Sequence, residues 1–296
     1  MGVDRFDVES DRGADVGAAM KINMQFITRS LIIIFAVIGI LLAVLVMLPS
    51  EILLRGVSLW ITRPLDSTPP PPTITAPRGS IPNGNVGLQE WVIYKDGSRE
   101  LRGSGFLIKL NSGDVIGVTT AHSLIDLGEQ GNRLSKIAFL LPSSGNAVID
   151  SDTLHGSAGV ARTTFDLSVD YVLLRLNGSA HSNYVLAPDA RGTPQPGERV
   201  SLFSGLGDDQ GNRRELQGTV FDVEAQGFWV VFDEWFDPGM MSGSPVMSQH
   251  TGNVLGMAIV MSPRGDRMTI GFNPIGNLVK QAEGAKEFVK IEEYRR

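Results

Sequence analysis

The sequence contains no cysteine. That removes a disulfide framework, a thiol nucleophile and a thiolate zinc site, without fixing the compartment, because a large domain in an oxidising space can fold without disulfides. Histidine is scarce, with four in the chain, and no two have the spacing of a metal-binding helix, which argues against a zinc hydrolase. Positive charge is not in excess. Lys and Arg number 26 against 32 Asp and Glu, for a net charge of -6, so nothing electrostatic points to nucleic acid as a partner. The acidic stretch Asp208-Asp209-Gln210-Gly211-Asn212 lacks the length and ligand spacing of a calcium loop and reads as a turn. No metal and no cofactor are expected, and the chain has no internal repeat.

What is present begins with a run of apolar residues from Leu31 to Leu48 that contains no charge. As a helix it would rise about 27 Å, close to the hydrocarbon thickness of a bilayer. It follows thirty or so mostly polar residues and precedes no Ala-x-Ala site, so an uncleaved transmembrane anchor is expected rather than a signal peptide. Arg12, Lys21 and Arg29 precede it, and Arg55 and Arg63 follow. This slight bias places residues 1–30 in the cytoplasm and the bulk of the chain outside it, as a single-pass protein of the cell membrane. Residues 49–84 form a juxtamembrane segment and a linker with four consecutive prolines, Pro69 to Pro72. Proline fixes the backbone dihedral and removes donors, so this stretch is expected to be an extended, semi-rigid tether.

At 296 residues, the chain can hold one large domain or two small ones. From Val86 to about Pro274, short runs rich in Val, Ile, Leu and Phe alternate with turn residues such as Asp96-Gly97, Asn111-Ser112-Gly113 and Asn177-Gly178. This is an all-β rhythm. A break at 187–197 divides residues 85–275 into two parts of comparable size, as expected for two small barrels. Residues 276–296 read as a C-terminal helix, with Leu278, Val279, Phe288 and Val289 at roughly helical spacing.

Three segments carry chemistry. Thr119-Thr120-Ala121-His122-Ser123, Asp170-Tyr171-Val172-Leu173-Leu174 and Gly239-Met240-Met241-Ser242-Gly243-Ser244-Pro245-Val246 supply a histidine, an aspartate and a serine in that order. A serine hydroxyl is a poor nucleophile at neutral pH, and needs a base to take its proton and an acid to hold that base in one tautomer. Singly, each segment has a plainer reading: a turn, a strand-end histidine, a strand-edge carboxylate. Asp166 also precedes an apolar stretch, but Asp170 leads directly into an uninterrupted strand. His155, His181 and His250 lie in polar, loop-like contexts and need no function.

With Gly103-Ser104-Gly105-Phe106-Leu107-Ile108 added, these segments resemble the trypsin-like serine peptidases of the chymotrypsin fold. Compact bacterial HtrA-like and glutamyl-endopeptidase-like members are nearest. The likeness covers about Val86 to Ile275. It implies two six-stranded β-barrels, with His122 as general base, Asp170 as its partner and Ser242 as nucleophile across the cleft. It also implies a protein or peptide substrate, an acyl-enzyme intermediate and an oxyanion hole of the Met240 and Ser242 N–H groups. The chain departs from the family at Met240, where glycine is usual, and a residue with a Cβ resists backbone orientations open to glycine. Met241 stands where trypsin-like zymogens carry an activating aspartate. Phe236, Asp237, Val260 and Ser262 are the expected pocket residues. The alternative is a catalytically impaired domain that binds peptides or a partner protein, and the C-terminal helix could instead mediate assembly. The sequence leaves the oligomeric state open.

Overall fold

The structure is a computed structural model, and it describes residues 69–295 apart from 130–132, 143, 162–165 and 265. The expected tail and anchor, residues 1–48, and most of the juxtamembrane segment lie outside the described residues. Among the described residues no helix is long and apolar enough to cross a membrane.

Strand-forming runs punctuated by turns give eight strands in the first half: β1 (Leu88–Tyr94), β2 (Arg99–Lys109), β3 (Val115–Thr119), β4 (Leu134–Leu140), β5 (Ala147–Ser151), β6 (Thr153–Leu154), β7 (Val172–Arg175) and β8 (Val185–Leu186). They form one sheet in the order β5-β4-β1-β2-β3-β7-β6, with β8 parallel to β2. The expected first six-stranded barrel is therefore an open, eight-stranded sheet. Its last gap is bridged without a ladder, because β6 is only two residues long. Asn177 N donates to Asp150 O at 2.9 Å, and the Ser151 hydroxyl donates to the Thr153 and Arg175 carbonyls. The sheet curls because Phe139 covers two glycines. A Cβ on Gly105 or Gly117 would lie 2.3 or 2.5 Å from that ring, so the absent side chains let a fully buried phenylalanine contribute roughly 2 kcal/mol or more.

The second half is the closed six-stranded barrel the pattern predicts, in the order β10-β11-β14-β13-β12-β9. Its strands are β9 (Arg199–Ser204), β10 (Arg214–Glu224), β11 (Gly227–Phe232), β12 (Pro245–Ser248), β13 (Val254–Arg264) and β14 (Arg267–Pro274). Val200, Leu202, Phe228, Phe232 and Phe272 fill its interior, and Phe228 stacks on Phe272 at 5.1 Å. A third apolar cluster joins the halves, with Phe106, Ile108 and Leu173 from the first meeting Phe203, Met257 and Ile275 from the second.

The break at 187–197 carries the main buried ion network. Arg191 pairs with Asp189 at 2.7 Å and Glu198 at 2.9 Å, while Thr251 and Ser248 hydroxyls donate to the same two carboxylates. Burial alone would raise the Asp189 carboxyl, but the bonds from Arg191 and Thr251 hold it below its ordinary range.

Two segments differ from expectation. The helix α1 spans Ile275–Glu283 and ends at Gly284. Beyond it the chain runs extended along the first sheet: Leu154 N donates to Val289 O, Lys290 bridges Thr153, and Ile291 is fully buried. The apolar residues read as a helix face belong partly to this strap. The proline-rich stretch, where described, also lies on the domain. Gly79 N donates to His250 O, His250 Nε2 bonds the Ala76 carbonyl, and Arg213 donates to Pro82 O. Proline's missing donors do not prevent this, because the segment is held largely through its carbonyls.

Candidate active site

Adjacency of β3 and β7 brings the first two groups together. The strands pair antiparallel with Thr119 opposite Val172, so the residues just past β3 face those just before β7. His122 opens a 3-10 turn, His122–Leu124, and Asp170 closes another, Leu167–Val169. The Asp170 carboxylate is fully buried. One oxygen lies 2.8 Å from His122 Nδ1, and the other accepts the backbone N–H groups of Ala121 at 2.8 Å and His122 at 3.1 Å. Because an ionised carboxylate can only accept, Nδ1 carries a proton and Nε2 is left as the acceptor. Asp166 does not take part, since its carboxylate caps the turn before Asp170 through Ser168 N and Oγ.

Ser242 lies between β11 and β12, in a loop fixed from both halves of the molecule. Ser104 N donates to Ser242 O at 2.8 Å and Ser104 Oγ donates to Met240 O at 2.9 Å. Within the loop, Asp237 accepts from Gly239 N, and Met241 N donates to Pro238 O. Gly243 has φ +89, and a Cβ there would stand 1.8 Å from Ser104 O, so only glycine allows this approach. The Glu90 carboxylate, Ser123 Oγ and Ser242 O each lie 3.0 Å from the position of a Cβ on Gly103, which puts the serine backbone beside the histidine turn.

Met240 is the one non-glycine residue with positive φ among the described residues, at +58. The departure from glycine at this position therefore coincides with the left-handed backbone that glycine favours. Its side chain is half exposed. Among the described residues, neither Met240 N nor Ser242 N has an acceptor, and Ser242 Oγ makes no hydrogen bond to His122.

Beside Ser242 is a pocket lined by Pro238, Met241, Ala258, Val260, Met261 and Ile270. Val260 is thus placed at the pocket wall. Phe236 instead packs edge-on against Phe232 at 5.3 Å in the barrel interior, Asp237 caps its own loop, and Ser262 pairs with Thr269 between β13 and β14. No group of metal-ligating side chains occurs among the described residues. Asp208 turns its carboxylate onto Gln210 N and Asn212 N, as a turn requires. His155 is buried, with Nε2 3.0 Å from Ala282 O and its ring against Phe288, so it is structural rather than a surface residue.

Sequence reasoning passed over Glu90. It lies on the inward row of β1 between Leu88 and Val92, is completely buried, and neither carboxylate oxygen is hydrogen-bonded. Burial pushes its carboxyl up to about 8. An inward-facing Leu-x-Glu-x-Val alternation is the signal that could have found it.

Neither the protein-family models nor the curated proteins give a match to this chain. Solved structures similar to it include serine proteases and an inactivated relative of one. A thermostable serine protease from an extremophilic microorganism is 13% identical over 69% of this chain and 98% of its own, with a TM-score of 0.49. A serine endoprotease from Yersinia pestis is 18% identical over 68% of this chain and 64% of its own, with a TM-score of 0.44. An inactivated protease paralogue of the scabies mite is 17% identical over 70% and 96%, with a TM-score of 0.48.

Proposed function

We propose that the chain is a serine-type endopeptidase that cleaves peptide bonds through Ser242, His122 and Asp170. The observation that carries this reading is the buried Asp170 carboxylate, which holds His122 Nδ1 at 2.8 Å while two backbone N–H groups hold the carboxylate. That arrangement leaves Nε2 free of the carboxylate, as the base the reading requires. In the proposed cycle, Ser242 Oγ attacks the peptide carbonyl as Nε2 takes its proton. The resulting oxyanion accepts from Met240 N and Ser242 N, each donor contributing about 3 kcal/mol. Collapse expels the amine, protonated by His122, and leaves an acyl-enzyme that water hydrolyses by the same steps. No cofactor is needed.

The apolar lining of the pocket favours a small or apolar side chain before the scissile bond. Digestion of a peptide library tests this, and a strong preference for Arg or Lys would overturn it. Residues 31–48 supply the membrane anchor in this reading, with the peptidase domain on the extracytoplasmic side. Extraction of the full chain from membranes by alkaline carbonate alone would contradict the anchor.

A second reading is a protease-like domain that binds peptides or a partner without cutting them. Two observations favour it: the side chain at Met240 and the missing hydrogen bond between Ser242 and His122. Reaction of the full chain with a fluorophosphonate probe separates the two. Labelling that is lost in both Ser242→Ala and His122→Ala supports the peptidase; a folded protein that takes no label supports the binding domain.

A further inference from the structure

A carboxylic acid with no partner, sealed under the active-site loops, requires an account. Glu90 stands opposite Gly103 on β2, and the next pair is Trp91 with Leu101, so Arg102 is an extra residue in a β-bulge at this point. Bulges of this kind re-aim side chains beside functional sites. Here the bulge leaves the Glu90 carboxyl beneath Gly103, sharing one small space with Ser123 Oγ and the Ser242 carbonyl. Both loops of the candidate site rest on it.

The groups facing the carboxyl from each neighbouring element are few. From β2, Arg102 is the nearest positive charge, but its Nη2 is turned away to Tyr94, Glu100 and Asp126. From β3 and the turn after it come the Thr119 and Ser123 hydroxyls, near enough to polarise the carboxyl but outside hydrogen-bond geometry. From β4 comes Phe139, its pairing partner. Beyond Ser123 lies the His122–Asp170 pair. Desolvation dominates over these lowering influences and pushes the carboxyl up to about 8, so that its neutral form is favoured well above the ordinary carboxylate range.

Ser123 Oγ is 2.5 Å from Thr120 Oγ1, and either can be the donor. These two residues flank Ala121 and His122. With Glu90 neutral, no charge acts on the Ser123 hydroxyl, and its proton can stay directed at Thr120. An ionised Glu90 would draw the Ser123 proton to itself and reverse the pair, with its own proton released to solvent. On the other side, Thr119 Oγ1 donates to Ser104 O, and Ser104 holds the Met240 and Ser242 carbonyls of the serine loop.

Resting on the peptidase reading above, we propose that Glu90 is a positioning residue for His122 and Ser242: its buried carboxyl sets the direction of the Thr120–Ser123 hydroxyl pair and supports the loop that carries the nucleophile. It touches no reacting atom. Its ionisation state therefore gates the site from below.

The test uses the full chain, with the fluorophosphonate labelling rate of Ser242 followed between about pH 6 and 10. The parent rate should fall above pH 8 by about tenfold per pH unit, whereas Glu90→Gln, which keeps the shape and stays neutral, should retain the rate through that range. Glu90→Leu should label at least about tenfold more slowly at pH 7 while keeping a cooperative thermal transition. Identical profiles for the parent and Glu90→Gln would overturn the proposal and leave the peptidase reading standing. A parent that takes no label at any pH would instead sink the peptidase reading. In that event the Nδ1–H proton resonance of His122 decides the coupling, since it should shift with Glu90 ionisation in the parent and not in Glu90→Gln, and the absence of that shift would refute the role.

Discussion

Replacing Ser104 by alanine should slow the candidate nucleophile, and glycine at position 240 should restore it. Met240 holds φ +58, a conformation that costs a residue with a Cβ about 1–2 kcal/mol. Its carbonyl is held in place by Ser104 Oγ at 2.9 Å, a bond worth about 1 kcal/mol net. The two terms are nearly balanced. Without the hydroxyl, relaxation of φ turns the Met240 N–H away from the oxyanion, and 1–2 kcal/mol of unopposed strain leaves about 3–15% of molecules in the competent state. Because the parent already carries a net strain of about 0–1 kcal/mol, fluorophosphonate labelling by Ser104→Ala should be about 3–5-fold slower, below the ceiling of about 10²–10³ set by complete loss of one donor. In Ser104→Ala with Met240→Gly, the left-handed backbone carries no Cβ penalty. The rate should return to within about threefold of the parent. Met240→Gly alone should raise the rate by about 2–6-fold, because it removes a strain that the Ser104 bond only balances. A Ser104→Ala defect that Met240→Gly does not repair would refute this account of the loop.

Three further outcomes follow from the geometry. Asp170→Asn must keep its oxygen on the Ala121 and His122 N–H groups and so turn its amide N–H toward Nδ1; the proton then sits on Nε2, and probe labelling should fall by about 10⁴-fold with little change in melting temperature. Glu90 has a folded-state value of about 8 against an ordinary 4.5, so its contribution to stability is fully present below about pH 4.5 and is lost as pH rises to 8. At 1.36 kcal/mol per pH unit this has a ceiling of about 5 kcal/mol; thermal melts should show Glu90→Gln gaining on the parent steadily between those limits and not beyond. Arg191→Ala strands the nearly buried Asp189 and Glu198 carboxylates, and denaturant unfolding should report a loss of about 3–5 kcal/mol.

The strand-rich region, the closed second barrel and the meeting of the His122 and Asp170 segments at adjacent strand ends were legible because each depends on local pattern: alternating burial, glycine turns, and residues at strand ends. The open first sheet was not, because closure depends on β6 being two residues long, a length set by the corner at Ser151 and not by hydropathy. The C-terminal strap was misread for a related reason. Phe288, Val289 and Ile291 are apolar at spacings that suit a helix, and only tertiary contact with β6 decides for an extended chain. Of the expected pocket residues Val260 lies on the wall, while Ala258 and Ile270 were not named because which residues of β13 and β14 line it depends on tertiary packing. Glu90 was missed because a single charge in an apolar row reads as a strand edge until its neighbours are known.

Ser104 belongs to the early part of the chain, yet it fastens a loop whose candidate nucleophile, Ser242, lies 138 positions later (242 minus 104). During synthesis the histidine and aspartate emerge and can pair within the first sheet, while the serine has still to leave the ribosome. On the peptidase reading, the site is incomplete until the closed barrel has formed and docked against Ser104. Hydrolytic capacity, on that reading, would arise only in the finished molecule, through the order of its own assembly.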